Sequence, residues 1–137
     1  MGTIIQNEKE IDELMNSTKE SVKLLLDTGH LLFARIDPMN ILKKYLNRIS
    51  HFHLKDVRYK YLDKSIKNKL SFIDSFLLGI FTSPGDGDYN FSPMIKSLMK
   101  SKYNGWIIVE AEQDPRKHNP YKYSKKAFVY LKRILNK

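Results

Sequence analysis

The chain has 137 residues, the length of one domain with enough sequence to bury a sizeable core, and its lack of cysteine excludes disulfides and thiolate–metal centres. A formal charge of +9 raises nucleic acid as a partner, but the lysines are scattered over many segments and arginine is sparse, so a solvated basic surface is expected and no nucleic-acid partner. No apolar run approaches the roughly 20 residues of a membrane span, no signal-peptide pattern opens the chain, and Met1-Gly2 is followed by Gln6 where myristoylation needs a hydroxyl residue, so a cytoplasmic protein with no membrane partner is expected.

In chain order, residues 8–18 (EKEIDELMNST) place Ile11, Leu14 and Met15 at helical spacing behind an acidic first turn. Residues 22–26 (VKLLL) read as a short strand that runs into Asp27-Thr28-Gly29-His30 and a loop. Asp37-Pro38 is a helix start, with Asp37 as N-cap, and Met39, Ile41, Leu42, Tyr45 and Leu46 follow on it. Residues 49–54 (ISHFHL) are a second strand. Residues 57–90 read as a long connection with a short helix near 66–78 and a turn-rich SPGDGDYN. Phe91-Ser92-Pro93 opens a helix carrying Met94, Ile95, Leu98 and Met99 on one side. Residues 105–110 (GWIIVE) are a third strand, and 121–135 a last helix with Tyr123, Phe128, Leu131, Ile134 and Leu135.

Strands alternating with amphipathic helices argue for an α/β fold of parallel βα units. The strands are near-continuous apolar runs, as expected for parallel strands buried on both faces. Three such strands leave two open apolar edges, so the chain reads as part of an α/β barrel.

In βα folds the chemistry lies at the C-terminal strand ends. Here those ends carry Asp27, then His51, His53, Lys55 and Asp56, then Glu110 and Glu112. Alternation puts His51, His53 and Lys55 on one side, and Glu110 with Glu112 on one side. Asp27, His53 and Glu110 can then meet at one mouth, and one imidazole with two carboxylates suits a divalent ion. Each residue also has a structural reading: Asp27 as a helix cap, the histidines as satisfied buried groups, the glutamates as a solvated strand end, Asp56 as a turn or cap residue. Gly85-Asp86-Gly87 offers backbone N–H groups to a phosphate, but without a following Lys-Ser/Thr it reads better as a tight loop.

LLLDTGH, RISHFHLKDVR, FTSPGDGDYNF and GWIIVEAEQDP, in this order, resemble the inosose dehydratase family of xylose-isomerase-like TIM barrels. Members of that family are about twice this length, with eight βα units. The resemblance therefore implies a single incomplete domain over 1–137: the C-terminal half of a TIM (β/α)8 barrel, with the last three βα units and a preceding helix. It implies a metal-dependent hydro-lyase that removes water from a keto-inositol to give a cyclohexane dione. Asp27, His53 and Glu110 resemble metal ligands, for Mn or Co. His30 and Glu110 are the implied catalytic groups, and His30, Lys55 and Glu112 the implied substrate contacts. Glutathione is a further implied cofactor. The implied partner is a separately encoded N-terminal half-barrel, or a second copy of the chain. An inactive remnant, and an isomerase or epimerase for another sugar, are the alternative expectations.

Overall fold

A computed structural model describes residues 5–136; the expectations on Met1 and Gly2 lie outside them. The first helix, α1 (Glu8–Asn16), starts at a capping box: the Asn7 side chain accepts from Glu10 N, and the Glu10 carboxylate accepts from Asn7 N, both at 3.0 Å. Its last turn and the segment after it are tied to the 3-10 turn at Leu46–Arg48 by Arg48. That guanidinium donates to the carbonyl of Met15, to Thr18 Oγ1 at 3.0 Å, to Lys19 O at 2.8 Å and to Val22 O at 2.8 Å.

Strand β1 (Leu24–Asp27) leads directly into α2 (Thr28–Phe33), then α3 (Pro38–Tyr45), a 3-10 turn at Leu46–Arg48 and β2 (Ile49–Leu54). Thr28–Phe33 is thus helical rather than a loop. The Asp27 carboxylate caps it, Oδ1 accepting from His30 N at 2.9 Å, and this local bond outweighs the short sequence available for the helix. After β2 come β3 (Asp56–Val57), α4 (Tyr59–Lys67), α5 (Phe72–Leu78) and β4 (Phe81–Thr82). The connection over 57–90 therefore holds two helices, not one near 66–78. The chain breaks at Lys69, whose φ is +51°, and restarts at Ser71, whose hydroxyl accepts from Asp74 N at 3.1 Å. Helix α6 (Ser92–Lys100), β5 (Trp106–Val109) and α7 (Pro120–Leu135) complete the order.

The three longer strands form one parallel sheet in the order β1-β2-β5, while β3 and β4 make a small antiparallel pair. The main core lies between the sheet and three helices. Leu26, Phe52 and Leu54 pack with Ile41 and Leu42 of α3, with Met94, Ile95 and Leu98 of α6, and with Ile134 of α7. Phe52 and Leu54 are fully buried, and burial of such side chains stabilises by about 1.5–3 kcal/mol each. A second cluster, Leu32, Val57, Leu62, Ile80 and Phe81, fastens the β3–β4 region to α2 and α4.

The expectation of strands buried on both faces does not hold for β5. Trp106 is 75% exposed, and Ile107, Ile108 and Val109 are each about 40% exposed, because β5 is a sheet edge. Strand β1 is the other edge, and Leu25 is half exposed there. Among the apolar residues expected to face inward, Met99 of α6 and Phe128 and Leu135 of α7 are exposed, while Ala127 and Ile134 carry the buried face of α7. Among the described residues no helix is long and apolar enough to cross a membrane.

Candidate metal centre

Strand register brings the first two groups together. Asp27 is the residue paired with His53 across β1 and β2, and His53 is paired with Ile108 across β2 and β5. The ladder continues one step, Glu110 N donating to Leu54 O at 3.0 Å, so Glu110 lies on the same side as His53. One ligand atom from each of Asp27, His53 and Glu110 lies within 4.8 Å of the others. His53 Nδ1 stands 3.1 Å from Glu110 Oε1 and 3.7 Å from Asp27 Oδ2.

Asp27 caps the helix and still leaves an oxygen for the cluster, because a carboxylate has two oxygens. Oδ1 caps α2, while Oδ2 faces the cluster. The neighbouring Thr28 is fully buried and closes the gap between strand ends: its hydroxyl donates to Lys55 O at 2.7 Å and accepts from Lys55 N at 2.9 Å.

Lys55 is the charge that balances the cluster. Its side chain is only 2% exposed, and its Nζ stands 3.1 Å from Asp27 Oδ2, 3.1 Å from Glu110 Oε2 and 2.5 Å from Glu112 Oε2. Burial pulls the ammonium pKa down, but the Asp27, Glu112 and Glu110 carboxylates outweigh it and hold the pKa above the ordinary lysine value. Gly29 makes room for this side chain: a Cβ there would fall 2.7 Å from Lys55 Cδ and Cγ.

Glu112 reaches the same place by a different route from the one alternation suggests. Strand β5 ends at Val109, and Glu112 lies beyond it with φ +45°. Its Oε2 meets Lys55 Nζ and stands 3.3 Å from His30 Nε2. The bond to His30 foremost, and then that to Lys55, hold the Glu112 carboxyl down at about 2 against the opposing effect of burial. His30 is the more open member, with a side chain 42% exposed. Its ring stands edge-on to Phe72 and Phe81, at 6.0 and 5.8 Å between centroids, and Lys55 Nζ lies 5.4 Å from the Phe81 ring. These two phenylalanines form an apolar wall that sequence reading did not single out, since both fall in the long connection. His51 stays outside the cluster, its ring 5.6 Å from that of His53.

Asp56 is a loop anchor rather than a simple turn or cap residue. Fully buried, it accepts from Val57 N (2.8 Å) and Tyr89 N (3.0 Å) through Oδ1, and from Gly85 N (3.1 Å) and Gly87 N (3.0 Å) through Oδ2. The N–H groups of Gly85 and Gly87 are thereby taken by the chain's own carboxylate, which agrees with a tight loop and not with a phosphate cradle.

The donor set fits a divalent cation: one imidazole nitrogen and two carboxylates within a few ångströms, backed by a buried ammonium that keeps the surplus negative charge small. The family model described as a xylose isomerase-like TIM barrel matches residues 1–134. The inosose dehydratase of Clostridium perfringens (strain 13 / Type A) is 47% identical over 137 residues, covering 99% of this chain and 46% of that protein. The inosose dehydratase of Clostridium beijerinckii is 52% identical over 133 residues, covering 96% of this chain and 45% of its own length. That of Lacticaseibacillus casei is 48% identical over 137 residues, with 99% and 46% covered. The chain thus spans about half the length of the curated relatives it matches. A match over nearly all its residues, on a parallel βα framework with its polar groups at the strand ends, places the chain in the xylose isomerase-like TIM barrel family.

Proposed function

We propose that this chain is the metal-binding, C-terminal part of an inosose dehydratase barrel and acts in the loss of water from a keto-inositol. The observation that carries the reading is the convergence of Asp27, His53 and Glu110 from three separate strand ends. Asp27, His53 and Glu110 would hold a divalent ion, Mn or Co, which would supply Lewis acidity toward the ketone and so acidify the neighbouring C–H. Glu110 presents Oε1 toward His53 and Oε2 toward Lys55, and its carboxylate takes the α-proton. His30, the most open of the basic groups here, delivers a proton from Nε2 to the departing β-hydroxyl. Lys55 and Glu112 bind substrate hydroxyls beside it, and Phe72 and Phe81 keep water from that side.

The single domain over 1–137 needs the rest of a barrel to act. Two apolar grooves support this. One, of about 340 Å³, lies beside β1, lined by Ile11, Leu24, Leu25, Leu31 and Ile41, and opens onto Asp27, His30 and His53 of the site. The other, of about 470 Å³, lies between β5 and α7 and is lined by Ile107, Val109, Phe128, Leu131 and Leu135. The remaining βα units, supplied as an N-terminal half-barrel, cover both; a second copy, at +9 each, meets charge repulsion. The test is to co-express the chain with the N-terminal half of the Clostridium perfringens relative and assay inosose with Mn²⁺ or Co²⁺. Metal-dependent dione formation is expected from the complex. A soluble complex with no water loss under either metal would overturn the reading.

A further inference from the structure

Glu112 is held on Lys55 in spite of its backbone. A φ of +45° is unfavourable for any residue but glycine, by about 1 kcal/mol, so the turn after β5 must be fixed from outside. The next residue supplies a bond of the right kind. Gln113 Nε2 donates to Thr82 Oγ1 at 3.2 Å, across to the end of β4. Thr82 is fully buried, and its hydroxyl is fully used: it donates to Asp86 Oδ2 at 2.7 Å and accepts from Arg58 Nη2 at 2.9 Å as well as from Gln113. Arg58 in turn donates to Gly79 O at 2.8 Å and Asp86 Oδ2 at 2.7 Å. With its one proton committed to Asp86, the Thr82 hydroxyl can only accept from residue 113, so that residue must be a donor.

We infer that Gln113 and Thr82 are positioning residues, which clamp the turn after β5 to β4 and so hold the Glu112 carboxylate against Lys55 and His30. The inference rests on the reading of Glu112 as a substrate contact, and it gives the Gln of AEQDP a role distinct from that of its acidic neighbours. Serine at 82 keeps the hydroxyl; valine removes it. Glutamate at 113 keeps the shape but sets an acceptor against a lone pair.

The clamp is read directly by NMR of the metal-free chain, as scalar coupling across the Lys55 Nζ–H···Oε2 Glu112 bond. Coupling is expected in the wild type and in Thr82→Ser, and is lost in Thr82→Val and Gln113→Glu, while the ¹³C shift of the Asp27 carboxylate, set by its ion pair with Lys55, is the same in all four. In the assembled enzyme, Gln113→Glu is expected to lower kcat at least about tenfold, leaving Mn²⁺ affinity within about twofold. Coupling that survives in both Thr82→Val and Gln113→Glu would overturn the inference, as would its absence in the wild type. If the couplings behave as expected but no dehydration is seen, the dehydratase reading fails and the clamp stands.

Discussion

Replacing Asp56 by Asn tests how the loop that borders the site is held. The side chain keeps its size, but one oxygen becomes an NH₂ group. Because Oδ1 serves Val57 N and Tyr89 N while Oδ2 serves Gly85 N and Gly87 N, either amide orientation leaves two backbone N–H groups facing a donor. Each buried donor left without its acceptor costs about 1–3 kcal/mol, giving about 4 kcal/mol in all, a large part of the 5–15 kcal/mol that holds a typical domain. Burial raises the Asp56 carboxyl above its ordinary 3.8, and the four N–H groups, Tyr89 foremost, offset this only in part; four donors with two on each oxygen are nonetheless the arrangement a carboxylate accepts. Urea unfolding followed by circular dichroism measures the loss. With a slope of about 2 kcal/mol/M, the midpoint should fall by about 2 M, and amide exchange at Gly85, Gly87 and Tyr89 should accelerate. A midpoint shift below about 0.5 M with an unchanged slope would refute the argument.

Two more outcomes follow from neighbouring contacts. Gly29→Ala would press a methyl group onto the Lys55 stem at 2.7 Å; the expected loss is about 1–3 kcal/mol in thermal or urea unfolding, and an unchanged midpoint would show that Lys55 can move aside freely. For Asp86, burial raises the carboxyl pKa, but Lys126, Thr82 and Arg58 outweigh it and hold the pKa below its ordinary 3.8. A carboxylate with a folded pKa below its unfolded value adds stability above the unfolded pKa and loses it as pH falls through the folded one. Unfolding free energy should therefore fall more steeply below about pH 4 in the wild type than in Asp86→Asn; parallel curves would contradict this.

Asp27, His53 and Glu110 were legible in the sequence because parallel strands in register put their C-terminal ends side by side, so three polar strand ends imply one cluster. Glu112 lies beside Glu110 on Lys55, as that rule expects, but for another reason. Alternation assigns it to the Glu110 side, yet its position comes from a left-handed turn beyond the strand, and nothing local in AEQDP announces that turn. Lys55 was legible as a group on the right face. Its near-complete burial depends on Thr28 and Gly29, the first turn of α2 directly after β1, and those contacts belong to the tertiary fold. Asp27 was left open between cap and ligand; Oδ1 is the cap, and Oδ2 faces His53 in the cluster. Phe72, Phe81 and Thr82 were missed because the stretch from 57 to 90 read as a connection, whereas the β3–β4 pair folds it back against the site. The exposed faces of β5 and α7 follow from their place at an edge, which hydrophobic periodicity cannot distinguish from a buried one.

Asp27, His53 and Glu110 are proposed to hold one divalent ion together. Titration of the chain with Mn²⁺, followed by electron paramagnetic resonance of the free ion, tests this most directly. One Mn²⁺ should bind per chain, and Asp27→Asn, His53→Ala and Glu110→Gln should each weaken binding by about tenfold or more, while His51→Ala leaves it unchanged. Equal Mn²⁺ binding by the wild type and all three cluster variants would show that these residues hold no ion.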